Sequence, residues 1–189
     1  CTDCGVGKYN SAAGASKAAQ CTECPVGTFG TSATADSASG CTLCDAGTAN
    51  PSSGQSAVTA CAECIKGRFQ VAKGKASCTA CVAGKYGDAQ EQTTDTCKPC
   101  GEGKYSSAQG ATAESQCNSC SPGKYSALTA QTAASVCTKC VVGKYGDTDG
   151  ATSISACKDC IAGVEFQDTA GQPSCKSAAC GIGTYGTAT

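Results

Sequence analysis

The chain has 189 residues, yet Leu, Ile, Val and Phe together number only 18, and Trp and Met are absent. Ordering a residue costs roughly 1–2 kcal/mol of conformational entropy, and burial at about 25 cal/mol per Å² cannot offset that with so few large side chains, so a conventional apolar core is excluded. Its 14 basic and 15 acidic residues are dispersed and nearly cancel, which excludes a basic stripe for nucleic acid, and no apolar run reaches the length of a bilayer span.

Twenty cysteines, over a tenth of the chain, mark a crosslinked scaffold and cut it into repeats. In chain order these are 1–20, 21–40, 41–60, 61–77, 78–96, 97–116, 117–136, 137–156, 157–174 and a partial tenth, 175–189. The first nine open with C-x-x-C; the tenth pairs Cys175 with Cys180 at a wider spacing. Three residues after the second Cys of each pair stands a glycine: Gly7, Gly27, Gly47, Gly67, Gly84, Gly103, Gly123, Gly143, Gly163 and Gly183. Two residues later stands an aromatic: Tyr9, Phe29, Phe69, Tyr86, Tyr105, Tyr125, Tyr145 and Tyr185. The third repeat has Ala49 there, and the ninth has Glu165 with Phe166 one place on. The remainder of each repeat is Ala, Ser, Thr, Gly and Gln, often with a glycine midway, as at Gly14, Gly54, Gly110 and Gly150.

Each repeat therefore predicts the same elements. A glycine just after a crosslink permits a tight turn at positive φ. A short extended segment follows, whose aromatic is expected to cover the neighbouring disulfide and the glycine. A polar loop then returns to the next pair and absorbs the length changes. No apolar stripe of helical period exists. The expected fold is a set of small disulfide-rich repeats in an elongated in-line array of twenty-residue modules, with short β segments and loops, no helix-based core, no linker, and 1–189 as a single array.

Three chemistries compete for C-x-x-C. The spacing C-x-x-C-x(16)-C-x-x-C also suits a four-cysteine zinc site. The chain has no His, however, and its spacings vary. Thioredoxin-like exchange needs the motif at a helix start in a βαβ setting, which nothing here supplies. Structural disulfides in an oxidising, extracellular setting are the preferred reading. The simplest connectivity joins the second Cys of one pair to the first of the next: Cys4–Cys21, Cys24–Cys41, Cys44–Cys61, Cys64–Cys78, Cys81–Cys97, Cys100–Cys117, Cys120–Cys137, Cys140–Cys157 and Cys160–Cys175. Cys1 and Cys180 are then left over, to be completed by a preceding and a following repeat or by a protomer joined head to tail. The alternative couples pairs two by two, Cys1–Cys21 with Cys4–Cys24 and onward, and leaves nothing over.

Stretches such as CKPCGEGKYSSAQGATAESQCNSC and CTKCVVGKYGDTDGATSISACKDC resemble the ephrin-receptor-like cysteine-rich repeat, and the likeness extends over essentially the whole chain. The first loop of tumour-necrosis-factor-receptor modules is similar too. Its bonding of the Cys before G-x-Y to the next Cys downstream implies the in-line scheme here. The Ala/Thr/Ser-rich texture resembles cysteine-rich surface proteins of ciliates and other protists. The resemblance implies a fold and carries no ligand-binding residue.

For function, the absence of His, of a recurring acid–base pair and of any phosphate-binding or nucleophile motif predicts no enzyme and no cofactor. The lysines of G-K-Y (Lys8, Lys85, Lys104, Lys124, Lys144) suggest an anion or carbohydrate patch, but a solvated lysine beside a packing aromatic explains them more simply. We expect an extracellular structural protein, a crosslinked rod or a filament-forming or surface-coat element whose partner is itself, head to tail or laterally. No nucleic acid and no membrane span enter that expectation. The alternative is the ectodomain of a receptor or surface antigen that binds a protein or a glycan. Ser and Thr make up over a fifth of the chain and no N-x-[ST] sequon occurs, so O-linked glycans are expected, with Thr31, Ser32, Thr34, Ser52, Ser53, Thr93, Thr94, Ser106 and Ser107 as candidate positions.

Overall fold

A computed structural model describes residues 2–12, 20–162 and 164–177. Among them the chain forms an in-line array of small modules, each closed by one disulfide and holding one two-stranded antiparallel ribbon. In chain order, β1 (Lys8–Tyr9) pairs with β2 (Thr22–Glu23), β3 (Thr28–Phe29) with β4 (Thr42–Leu43), and β5 (Thr48–Ala49) with β6 (Ala62–Glu63). Next, β7 (Arg68–Phe69) pairs with β8 (Thr79–Ala80), β9 (Lys85–Tyr86) with β10 (Lys98–Pro99), and β11 (Lys104–Tyr105) with β12 (Asn118–Ser119). Finally, β13 (Lys124–Tyr125) pairs with β14 (Thr138–Lys139), β15 (Lys144–Tyr145) with β16 (Lys158–Asp159), and β17 (Glu165–Phe166) with β18 (Lys176–Ser177). The register is constant in the first eight: the aromatic segment of one repeat lies against the two residues inside the C-x-x-C of the next, as Tyr105 lies opposite Asn118 and Lys104 opposite Ser119.

Local chemistry sets the ribbon. The residue after the conserved glycine donates its N–H to the residue after the second Cys, as in Lys104 to Gly101 (3.2 Å) and Thr28 to Pro25 (3.2 Å). The third position of this turn is the glycine, at φ 71 for Gly103 and φ 80 for Gly27, as a type II turn requires. The crosslink then holds the two short strands together, since an isolated two-residue pair would not persist.

Loop length decides how each module closes. The twenty-residue repeats whose ends are described in full close with a single 3-10 turn just before the next pair: Ala38–Gly40, Val58–Ala60, Glu114–Gln116, Ala134–Val136 and Ile154–Ala156. The short fourth and ninth repeats lack that turn and use a buried amide instead. Gln70 donates Nε2–H to Ser77 O (2.8 Å) and accepts from Ala72 N (3.1 Å); Gln167 does the same with Ser174 O (2.7 Å) and Thr169 N (3.1 Å). In the fifth repeat the Asp95 carboxylate accepts from Cys97 N (3.0 Å).

Two compact bodies are distinguished: the described residues of Cys1–Cys81, Gly87–Cys97 and Gly110–Ala113, and those of Val82–Tyr86, Lys98–Gln109 and Glu114–Thr189. In both the core is sulfur and small residues. The second cysteines Cys24, Cys44, Cys64, Cys81, Cys100, Cys120 and Cys140 are 0–3% exposed, whereas most of the described aromatics are only half-buried. The aromatics, expected to cover the neighbouring disulfide and glycine, are thus not the buried part of the module, and what stands nearest the glycine is a loop two repeats on. A two-residue strand leaves a large ring half on the surface. In the ninth repeat one extra residue precedes the strand. A local turn absorbs it (Glu165 N to Ile161 O, 2.8 Å), and Phe166 takes the aromatic place, opposite Lys176.

Candidate functional site

The nine in-line disulfides are present. Cys4–Cys21, Cys24–Cys41, Cys44–Cys61, Cys100–Cys117, Cys120–Cys137 and Cys140–Cys157 each span 17 residues of sequence. Cys64–Cys78, Cys81–Cys97 and Cys160–Cys175 span 14, 16 and 15. The two-by-two alternative is not what forms, because Cys24 bridges to Cys41 and not to Cys4. All described cysteines lie in bridges, so none is left as a thiolate for zinc. Loops of this length give about 3 kcal/mol each in the chain-entropy model. Cys1, Cys180 and Tyr185 lie outside the described residues.

Around each bridge the same contacts recur, and they connect three successive repeats. The conserved glycine accepts from the second Cys of the next repeat (Cys120 N to Gly103 O, 2.8 Å) and donates to the residue after that repeat's aromatic (Gly103 N to Ser126 O, 2.8 Å). The loop two repeats on then settles over it. A β-carbon on Gly103 would stand 2.1 Å from Gly150 O; one on Gly7, Gly27 or Gly67 would stand 2.2 Å from the carbonyl oxygen of Gly54, Gly74 or Gly110. The covering residue is anchored by its own N–H to the intervening second Cys, as Gly150 N to Cys120 O (2.8 Å) and Gly54 N to Cys24 O (2.8 Å). The conserved glycine therefore has two causes, a positive φ and a carbonyl where a side chain would go. Only the first was read from the sequence.

The roles of two further positions escaped sequence reading. One is the residue after the aromatic: Gly30, Asn50, Gln70, Gly87, Ser106, Ser126, Gly146 and Gln167 are all buried. It fits between a cysteine sulfur and the preceding repeat's glycine; a β-carbon on Gly30 would lie 2.9 Å from Cys24 Sγ. Asn50, in the repeat without an aromatic, fills this place and donates Nδ2–H to Thr28 O (2.8 Å). The other is the role of the covering residue, ten places after the second Cys (eleven at Gly171): Gly54, Gly74, Gly110, Gly150 and Gly171 have positive φ, and so do Glu91 (φ 53) and Ala130 (φ 56). A left-handed conformation costs an L-residue roughly 1–2 kcal/mol. Glu91→Gly and Ala130→Gly should therefore each stabilise the oxidised protein, by up to about 1 kcal/mol once the added freedom of the unfolded chain is deducted. Denaturant midpoints of the two variants without reductant check this.

Ser106 is 1% exposed, so it is removed from the candidate O-glycosylation positions; its place after Tyr105 puts it in the stack. The other eight candidates are exposed. The G-K-Y lysines are half-buried along their stems. Lys104 meets Glu114 (2.7 Å) and Lys144 meets Asp159 (2.7 Å). The hydrogen bond from Lys104 and then its charge hold the Glu114 carboxyl below its usual range. Lys158 does likewise for Asp147, and is itself raised by that carboxylate. These are solvent-exposed pairs that add little to stability.

A shallow groove of about 410 Å³ lies beside Phe29, Leu43, Val58 and the Cys44–Cys61 bridge, with the Lys73–Asp45 ion pair at its rim. Among the described residues no cluster of His, Cys, Asp or Glu is placed to hold a metal, and no helix is long and apolar enough to cross a membrane. No protein-family model matches the chain, and no curated protein matches it. The architecture, a disulfide-rich repeat array, is compatible with an extracellular structural or surface protein.

Proposed function

We propose that the chain is a non-catalytic extracellular structural element, a crosslinked spacer in a filament or surface coat, built from repeats of the ephrin-receptor-like type and associating with copies of itself. The observation that carries this reading is the recurrence of one contact set, a bridge, a glycine and a covering loop, from repeat to repeat. The conserved positions are consumed by holding the array together. The surface left over carries Ala, Ser, Thr, short ion pairs and single aliphatic side chains such as Ile65 and Leu128, and O-linked sugars at Thr31, Ser32, Thr34, Ser52, Ser53, Thr93, Thr94 or Ser107 would sit on it without disturbing the fold.

The ectodomain reading is favoured only by the groove beside Phe29, where Leu43 and Val58 are exposed. Non-reducing intact mass and electron microscopy of native material separate the readings. Fibres or a coat, nine bridges and a mass above the 18.4 kDa polypeptide are the expected result. Free thiols or bound zinc would overturn the extracellular spacer, and discrete complexes with another protein would favour the ectodomain.

A further inference from the structure

Among the five lysines of G-K-Y, Lys124 has lost both of the places from which the others draw a carboxylate. Lys104 takes one from its own loop, Glu114 ten places on (2.7 Å), and Lys144 takes one from across the ribbon, Asp159 fifteen places on (2.7 Å). Lys8 lies opposite Glu23. Ten places after Lys124 stands Ala134, and fifteen places on, directly opposite it on β14, stands Lys139. The seventh repeat, 117–136, contains no Asp or Glu. Among the described residues no carboxylate is bonded to Lys124 or Lys139, and none of the remaining residues is an Asp or Glu. Gly171 lies against the Lys139 stem, where its β-carbon would stand 2.9 Å from Cγ, but Asp168 in the same loop is held by Lys176.

We infer that Lys124 and Lys139 form a binding point for the oxyanions of an acidic polysaccharide, an occupant whose choice rests on the extracellular reading above. Directly opposed residues on a ribbon project to one face, with β-carbons roughly 4.5–5.5 Å apart, and like charges so placed repel. A sulfate or carboxylate set between the two ammonium heads removes that repulsion and accepts a charge-assisted hydrogen bond from each. Lys124 is half-buried along its stem and Lys139 is exposed, so the heads stand at the surface. A lone ion there is screened and weakly held. A polymer with a charge on successive sugars raises occupancy by presenting many groups to one point. The surroundings suit sugar better than protein. Ser121, in the turn that leads to Lys124, and Thr138, beside Lys139, are exposed and offer hydroxyls, whereas a protein interface is depleted in Lys and centred on apolar and aromatic groups.

The test uses the full oxidised chain at low salt, with dextran sulfate as the probe and uncharged dextran, inorganic sulfate and polyglutamate for comparison. The ε-methylene resonances of Lys124 and Lys139 should move with dextran sulfate, stay fixed with dextran, and return as salt is raised. Lys139→Gln and Lys124→Gln should each weaken binding at least about fivefold. Lys66→Gln removes the same charge from an exposed turn lysine outside any ribbon and should weaken it less than about twofold. A disulfide map establishes that each variant keeps its bridges; if one does not, the lysine resonances of the parent decide alone. Equal losses in all three variants, or no movement at Lys124 and Lys139, overturns the binding point. Inorganic sulfate that binds as well at equal sulfate concentration, or polyglutamate that binds more tightly, overturns the polysaccharide as its occupant. Each of these results leaves the crosslinked spacer standing. Free thiols or zinc in the parent would defeat the spacer and, with it, the choice of a polysaccharide.

Discussion

Reductant added under native conditions should unfold the array, not merely loosen it. In most domains a bridge supplements an apolar core. Here the least exposed side chains are the bridged sulfurs themselves, from Cys24 at 0% to Cys140 at 3%, with Ala111, Ser106 and Asn50 beside them. Large apolar groups such as Ile65, Val82, Leu128 and Ile154 lie on the surface. Opening a bridge thus removes both the loop constraint, about 3 kcal/mol for a loop of this size, and the packed interior around it. Removing one bridge by Cys100→Ser with Cys117→Ser should release that module and disturb repeats on both sides. Cys100 donates to Gly84 O (2.8 Å), and its carbonyl anchors Ala130 (2.8 Å). Amide exchange with and without reductant, and in the double variant, measures this. Expected are loss of protection throughout on full reduction and, in the variant, at Gly84, Cys100 and Ala130. Protection that survives full reduction would mean that something other than sulfur holds the fold.

What the sequence made legible was local, and what it hid was distant. Gly103 could be assigned to a turn because Cys100 and Tyr105 stand within three residues of it. The in-line bridge follows from the same short spacing once one repeat is taken as one closed loop. The covering of Gly103 by Gly150 joins residues two repeats apart, and no periodicity within a repeat announces it. A signal was nonetheless present. Gly54, Gly74, Gly110 and Gly150 all fall ten residues after the second Cys of their repeats, although the repeats differ in length. Ser106 misled for a related reason. It belongs to a Ser-rich stretch, and composition cannot tell that it is buried while Ser107 beside it is exposed. Phe166, visible in the sequence one place out of register, is brought to the aromatic place by the turn at Ile161 that takes up the extra residue.

A single methyl group at Gly103 should do nearly as much local damage as losing a bridge. Alanine there must hold φ near 71, at roughly 1–2 kcal/mol. Its β-carbon would stand 2.1 Å from Gly150 O and 2.6 Å from Gly150 C, and both are backbone atoms that cannot rotate aside. The loop of the eighth repeat must lift, and the Gly150 N to Cys120 O bond, 2.8 Å, is strained or lost for about 1 kcal/mol more. The expected total is on the order of 3 kcal/mol. Gly101→Ala, two residues away in open space and without positive φ, should stay within about 0.5 kcal/mol of the parent. Denaturant unfolding without reductant gives both values. Amide exchange locates the damage, which should extend to Gly150, two repeats downstream, and spare Gly47 and Glu91. Equal effects at Gly101 and Gly103, or damage confined to the Gly103 turn, would show that the covering loop is not what makes this glycine necessary.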